Sequence, residues 1–167
     1  NVFNRVEAMR VLTDMQRISL LNDIDTQIDD KWLGMYGRIL DDTELPNAIK
    51  AAMLTIGEQS LDRKYATWYR EMVAAQERMM LAVNERYNSR IKEAFRNLDT
   101  YSEPQAMQQG IEDRSLKLSL LALIAAEDSE ESQNMIIDHY RKSTSANDRV
   151  TALVYLNRSS SQDRKAL

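Results

Sequence analysis

Six backbone breakers, 4 glycines and 2 prolines, punctuate 167 residues. That is about 4% of the chain, where ordinary globular proteins carry roughly 12% of the two together. A sandwich or barrel of strands needs a turn cluster every 8 to 12 residues or so, and beyond Gly34, Pro46, Gly57 and Pro104 this chain offers few. Long helices with short connections are what the spacing leaves. The stretch from Thr67 to Leu98 has neither Gly nor Pro, so the longest helix is expected there. Its apolar stripe is Trp68, Met72, Ala75, Met79, Val83, Tyr87, Ile91, Ala94 and Leu98, recurring at helical spacing.

The same period runs through the rest of the chain. Asn4 followed by Glu7 reads as a loose capping box, opening a helix to about Asn22 whose core stripe is Ala8, Val11, Leu12, Met15 and Ile18. Ile28, Trp32, Met35, Tyr36 and Ile39 form a second stripe, with Gly34 and Gly37 suggesting a close helix approach. Thr43 is placed as the cap before Glu44-Leu45-Pro46, ahead of a stripe of Leu45, Ala48, Ile49, Ala52 and Ile56 that Gly57 stops. Ser60 is expected to cap a short helix. From Leu116 to Ala126 the chain is apolar on nearly all sides, which marks an interior helix. Met135, Ile136 and Tyr140 belong to the next helix, and Val150, Leu153, Val154 and Asn157 to the face of the last; Ser159-Ser160-Ser161 is a short polar joint. The expected fold is all-α: about eight antiparallel helices in an irregular armadillo-like or HEAT-like stack. No repeat of fixed period is visible, and residues 1–167 read as a single helical domain.

Composition excludes several function classes. The formal net charge is −4, with acids and bases interspersed, so the basic footprint of a nucleic-acid binder is missing. The absence of cysteine removes disulfides, thiolate metal sites and thiol nucleophiles and agrees with a cytoplasmic setting. The most apolar run, Leu116 to Ala126, contains Lys117 and Ser119 and falls short of the ~20 residues that span a bilayer. His139 is the only histidine, too few for a two-histidine zinc motif, and is expected to be an ordinary surface or packing residue. Asp29-Asp30 and Asp41-Asp42-Thr43-Glu44 suit helix starts better than magnesium sites. Isolated glycines cannot build a phosphate loop, and the 9 methionines are read as core filler. No catalytic, cofactor-binding or metal-ligating residue is assigned in the segment.

Three blocks nonetheless look familiar. Phe3-Asn4-Arg5-Val6-Glu7-Ala8 resembles the Phe-x-Arg-Trp-Glu/Asp-Ala run that opens the helical C-terminal domain of bacterial aminopeptidase N, the zinc-dependent alanyl aminopeptidase family. Arg114-Ser115-Leu116-Lys117 is similar to that family's Arg-x-Leu-Arg/Lys-Asn run, and Thr144 to Leu153 to its Thr/Asn-Asn-Met-Thr-Asp-Arg-x-Ala-Ala-Leu block. Val6, Leu118 and Ala146-Asn147 depart from the pattern.

The resemblance implies a metallo-exopeptidase parent that removes N-terminal residues from peptides. Its zinc would sit on an H-E-x-x-H motif in a catalytic domain, and neither that motif nor G-x-M-E-N occurs here. The chain opens without Met and stops at Arg164-Lys165-Ala166-Leu167, so it is read as the first part of a larger helical domain. The implied partners are the catalytic domain of the same chain and the parent's peptide substrates. Asn4, Glu7, Arg114, Asp148 and Arg149 are assigned structural roles. Asp148 would accept backbone N–H bonds at a helix start, and Arg149 would pair with an acid on an adjacent helix. A freestanding helical-repeat scaffold that binds a protein or peptide is the competing reading. An exposed apolar patch is expected where a partner is missing.

Overall fold

Helices make up the whole architecture in the computed structural model, which describes residues 2–57, 67–104 and 106–163. Among these residues there are seven: α1 (Val2–Asn22), α2 (Asp30–Asp41), α3 (Asn47–Leu54), α4 (Tyr69–Asn97), α5 (Met107–Ala125), α6 (Glu130–Lys142) and α7 (Ala146–Arg158). No strand occurs among them. The short helix expected after Ser60, and the chain end Arg164–Leu167, lie outside the described residues.

The helix starts follow the chemistry of short polar side chains, though not always at the expected residue. The Asp29 carboxylate accepts from the Lys31 and Trp32 N–H groups at 2.7 and 2.8 Å, capping α2. At α3 the expected cap Thr43 is passed over. Asp42 takes the N–H groups of Glu44 and Leu45 at 3.0 and 3.1 Å, and the helix begins only after Pro46. Asp42 can do this because Arg5 pairs with it at 3.1 Å and holds its carboxyl below the usual carboxylate range. Ser129 caps α6 by accepting from Ser132, ahead of Glu130 and Glu131 in the first turn, where negative charge meets the positive end of the helix dipole. α1 starts at Val2. Asn4 therefore lies inside the helix rather than at its cap, and Glu7 pairs one turn on with Arg10 at 3.5 Å.

α5 is the axis of the fold, packed against α3, α4, α6 and α7. Leu120, Leu121, Leu123 and Ile124 are shielded from water, as an all-round apolar run requires, and each such side chain contributes roughly 1.5–3 kcal/mol. α4 buries Ala75, Met79, Val83 and Ile91 along its expected stripe, whereas Trp68 just ahead of it is exposed. It kinks at Tyr87 (φ −125°, ψ 19°), where the ring lies against the backbone of α2. A methyl group on Gly37 would fall 2.8 Å from the Tyr87 hydroxyl, so the close approach involves Gly37 alone. Around Gly34 nothing lies within 4 Å of such a methyl.

α1 reverses its expected orientation. Met9, Thr13, Gln16, Arg17, Leu20 and Leu21 face the interior, while Val11, Leu12 and Met15 are 50%, 40% and 61% exposed. The inward polar groups explain the choice. Thr13 accepts from the Trp32 indole at 3.1 Å, and Gln16 accepts from the Asp29 N–H at 2.9 Å. Buried Arg17 pairs with Asp14 and donates to the carbonyls of Ile56 and Gly57 at 2.9 and 3.3 Å. Those carbonyls lie just past the end of α3, where no intrahelical donor is left.

Two glycine substitutions separate local propensity from packing. Gly34→Ala should stabilise the chain by up to about 1 kcal/mol, because it fills open space in mid-helix. Gly110→Ala should destabilise it, because the new methyl would stand 2.6 Å from Cγ of Pro104, a ring tied to its backbone. Urea unfolding of both variants checks the opposite signs.

Candidate functional site

Two features stand out: a buried cluster of ionisable groups, and an exposed apolar face on α1. The cluster gathers where α5, α6 and α7 meet the loop after α4. That loop is shaped by Asp99, whose carboxylate accepts from the N–H groups of Tyr101 and Ser102 at 3.0 and 3.2 Å. The turn swings the Tyr101 ring inward. Lys117 of α5, 2% exposed, lays its ammonium over Tyr101 and Phe95, 4.2 and 4.6 Å from the ring centroids, and donates to the Leu98 carbonyl. The quadrupoles of two rings replace part of the lost hydration. The replacement is incomplete: burial pushes the Lys117 ammonium down to about 8.

His139 of α6 is 1% exposed and shares the same two rings, with centroids 5.7 Å from Phe95 and from Tyr101. Its Nδ1 lies 2.9 Å from the Tyr101 hydroxyl. Burial, aided by the Lys117 charge, pulls the imidazole down to about 4, and burial pushes the Tyr101 phenol up to about 12. Of the two expected roles, surface or packing, His139 takes the second, as a buried imidazole.

The assigned structural residues of α5 and α7 come together here. Ser145, not Asp148, caps α7, accepting from the Asp148 N–H at 3.5 Å. The buried Asp148 carboxyl is raised by desolvation, against the opposing pull of Arg114, Ser145 and Lys117. It therefore points inward beside Ser145 instead of bonding several backbone N–H groups. Arg149 turns outward and packs on an aromatic ring rather than an acid. Its guanidinium lies 4.8 Å from the Tyr140 ring centroid and donates to the Tyr140 hydroxyl at 3.3 Å. Asn4 and Glu7 lie far from this group along the chain, on α1. The residues that sequence reasoning missed are Lys117, Tyr101 and His139 as a unit. The available signal was a single lysine set between Leu116 and Leu118 in an interior helix.

None of this builds a metal centre: among the described residues no three His, Cys, Asp or Glu side chains converge to hold an ion. The zinc implied by the resemblance does not fit these residues. The two acidic runs instead serve α2 and its neighbours, Asp30 pairing with Arg86 at 2.7 Å and Asp41 with Arg90 at 3.0 Å.

The exposed face of α1 borders a cleft of about 310 Å³, formed with α2 by Leu12, Met15, Gln16, Ser19, Trp32 and Met35. On α7, Val150 and Val154 are likewise exposed rather than buried, beside a shallow groove with Leu153 and Asn157. Such apolar surface on a folded chain is the kind that partners cover. No described helix is long and apolar enough to cross a membrane.

A family model described as a domain of unknown function (DUF3458_C) with ARM repeats matches residues 1–167. No curated protein matches the chain.

Two substitutions probe the cluster. Ser145→Ala should cost about 1 kcal/mol by removing the α7 cap, read as a lower unfolding midpoint. The folded ammonium of Lys117 gives up its proton more readily than the ordinary 10.5. Its contribution is therefore complete above that value and is lost as pH falls towards 8. Urea unfolding at pH 8 and pH 10 should show the native protein gaining about 2 kcal/mol relative to Lys117→Met on going to the higher pH.

Proposed function

The chain belongs to this family of ARM-repeat helical domains, and from that premise we propose that it is a non-catalytic C-terminal segment of a zinc metallo-aminopeptidase. In this reading it packs against the catalytic domain of the same chain and narrows the way to the active-site cavity. The observation that carries the reading is the inverted α1. Its exposed stripe of Val11, Leu12 and Met15 lies on the helix that opens with Phe3-Asn4-Arg5-Val6-Glu7-Ala8, the first block of the resemblance.

The other two blocks support it through their placement. Arg114 and Lys117 from the second act electrostatically on Asp148 from the third, on helices α5 and α7 that pack together. Residues far apart in sequence that match one family pattern thus share one electrostatic neighbourhood. A rigid helical wall beside a catalytic cavity has a direct physical use. It admits extended peptides, turns folded proteins away and keeps bulk water from the reacting charges. The cytoplasm is the compartment we assign, and the zinc would belong to the catalytic domain.

The parent enzyme carrying Leu12→Glu and Met15→Glu tests this. Each substitution sets a charge on a surface that would be dry on docking. The expected result is release of the cap: faster proteolytic clipping between the two domains, and a rise on the order of tenfold in cleavage of long polypeptides relative to dipeptide substrates. An unchanged ratio with an intact interdomain link would refute the docking. An encoded chain whose upstream part lacks H-E-x-x-H would favour the freestanding scaffold instead.

A further inference from the structure

We propose that Lys117 and His139 form a pocket with room for one positive charge, so that protonating the imidazole loosens the α6–α7 hairpin from α5. The two side chains lie against the same pair of rings, Phe95 and Tyr101, the ammonium 4.6 and 4.2 Å from their centroids and the imidazole 5.7 Å from each. The ammonium already occupies the negative faces and the Leu98 carbonyl. A second cation meets the repulsion of the first.

The hydrogen bonds around His139 say which proton is held. The Ser143 hydroxyl donates to the His139 backbone carbonyl at 2.6 Å, so its oxygen faces Nε2, 3.4 Å away, as an acceptor. Nε2 therefore carries the hydrogen, and Nδ1 accepts from the Tyr101 hydroxyl at 2.9 Å. Adding a proton at Nδ1 places two hydrogens between the same pair of atoms. Tyr101 must then turn its hydroxyl hydrogen away and accept instead.

The other charges do not offset this. Asp99 from the loop, Asp138 and Lys142 from α6, Arg114 from α5 and Asp148 from α7 complete the set acting on Tyr101, Lys117 and Asp148. Asp148 is already raised by burial, so acid neutralises it early and leaves the pocket more positive.

The hairpin is the part free to respond. Its backbone packs on α5 and on itself, with no such packing on α1 to α4. The remaining ties from α4 are long side chains, Lys92 and Arg96 reaching Glu131 at 2.7 and 2.8 Å. Those two bases hold Glu131 below its ordinary range. The folded imidazole titrates at about 4 and the free one at 6.5. The released state therefore binds more protons in that window, and attachment is complete above 6.5 and weakens as pH falls through it.

Because His139 is the only histidine, a single imidazole Cε1–H resonance reports its titration in the 167-residue chain. The expected midpoint lies well below 6.5. In hydrogen exchange the protection factors of α6 and α7 should fall at least about tenfold between pH 7 and pH 5, while those of α1 to α3 hold. Lys117→Met should raise the midpoint, and His139→Gln, neutral at every pH, should abolish the acid-dependent loss. A native midpoint at 6.5 or above, a uniform loss across all helices, or an acid-dependent loss that survives His139→Gln would overturn the proposal. Should His139→Gln fail to fold, Lys117→Met decides: removal of the competing cation must raise the midpoint, and an unchanged midpoint counts against the pocket.

Discussion

Everything in this domain hangs on one helix whose second half leaves no residue exposed to water. Leu116, Leu120, Leu121, Leu123 and Ile124 are buried along the second half of α5, and Leu118, Ser119, Ala122 and Ala125 on its remaining side are half-buried. A helix that is apolar all round gains its stability only when neighbours cover every face. α3 and α4 take one side and the α6–α7 hairpin the other, which converts a row of hairpins into a layered stack. The connecting turns only need to be short, and Asp128 shows how tightly one is held. In a left-handed conformation (φ 47°), it accepts from the Ser160 N–H and the Gln133 side chain, both at about 3.0 Å, so the turn between α5 and α6 is pinned to the end of α7.

Burying the second half of α5 also buries the helix's one lysine. A charge in that position survives only by finding the Tyr101 and Phe95 rings and the Leu98 carbonyl. Those partners in turn fix the loop after α4 and the place of His139. Lys92 is a second nearly buried cation, with a different solution. Burial opposes its charge, but Glu127 and Glu131, at 2.8 and 2.7 Å, outweigh that and hold it above its ordinary range. Acids stabilise one lysine and aromatic faces the other. Pairing with acids keeps the first charged under all ordinary conditions, whereas the second remains sensitive to its surroundings.

α1 marks the limit of periodicity as a guide. Its apolar stripe was legible, yet the stripe lies outside and the polar face inside. Hydrophobic spacing says that a face seeks cover without saying which neighbour provides it. The donors and acceptors of Trp32, Asp29 and Ile56 are met by Thr13, Gln16 and Arg17. Unpaired buried polar groups would cost about 1–3 kcal/mol each, comparable to the burial of one apolar side chain, and the helix turns its polar side inward. Val150 and Val154 on α7 tell the same story, their helix burying Asp148, Ala152 and Leu156 instead.

Scarce breakers and a repeating apolar period were enough, from the amino-acid order alone, to determine helices, their rough extents and the interior rank of α5, because these depend on neighbours three or four residues away. Tertiary structure alone decided which cap each helix uses, which side of α1 and α7 faces inward, and that Lys117, Tyr101 and His139 meet. Those outcomes rest on unpaired groups and charges from distant segments competing for the same few ångströms, and no local window of sequence contains both competitors.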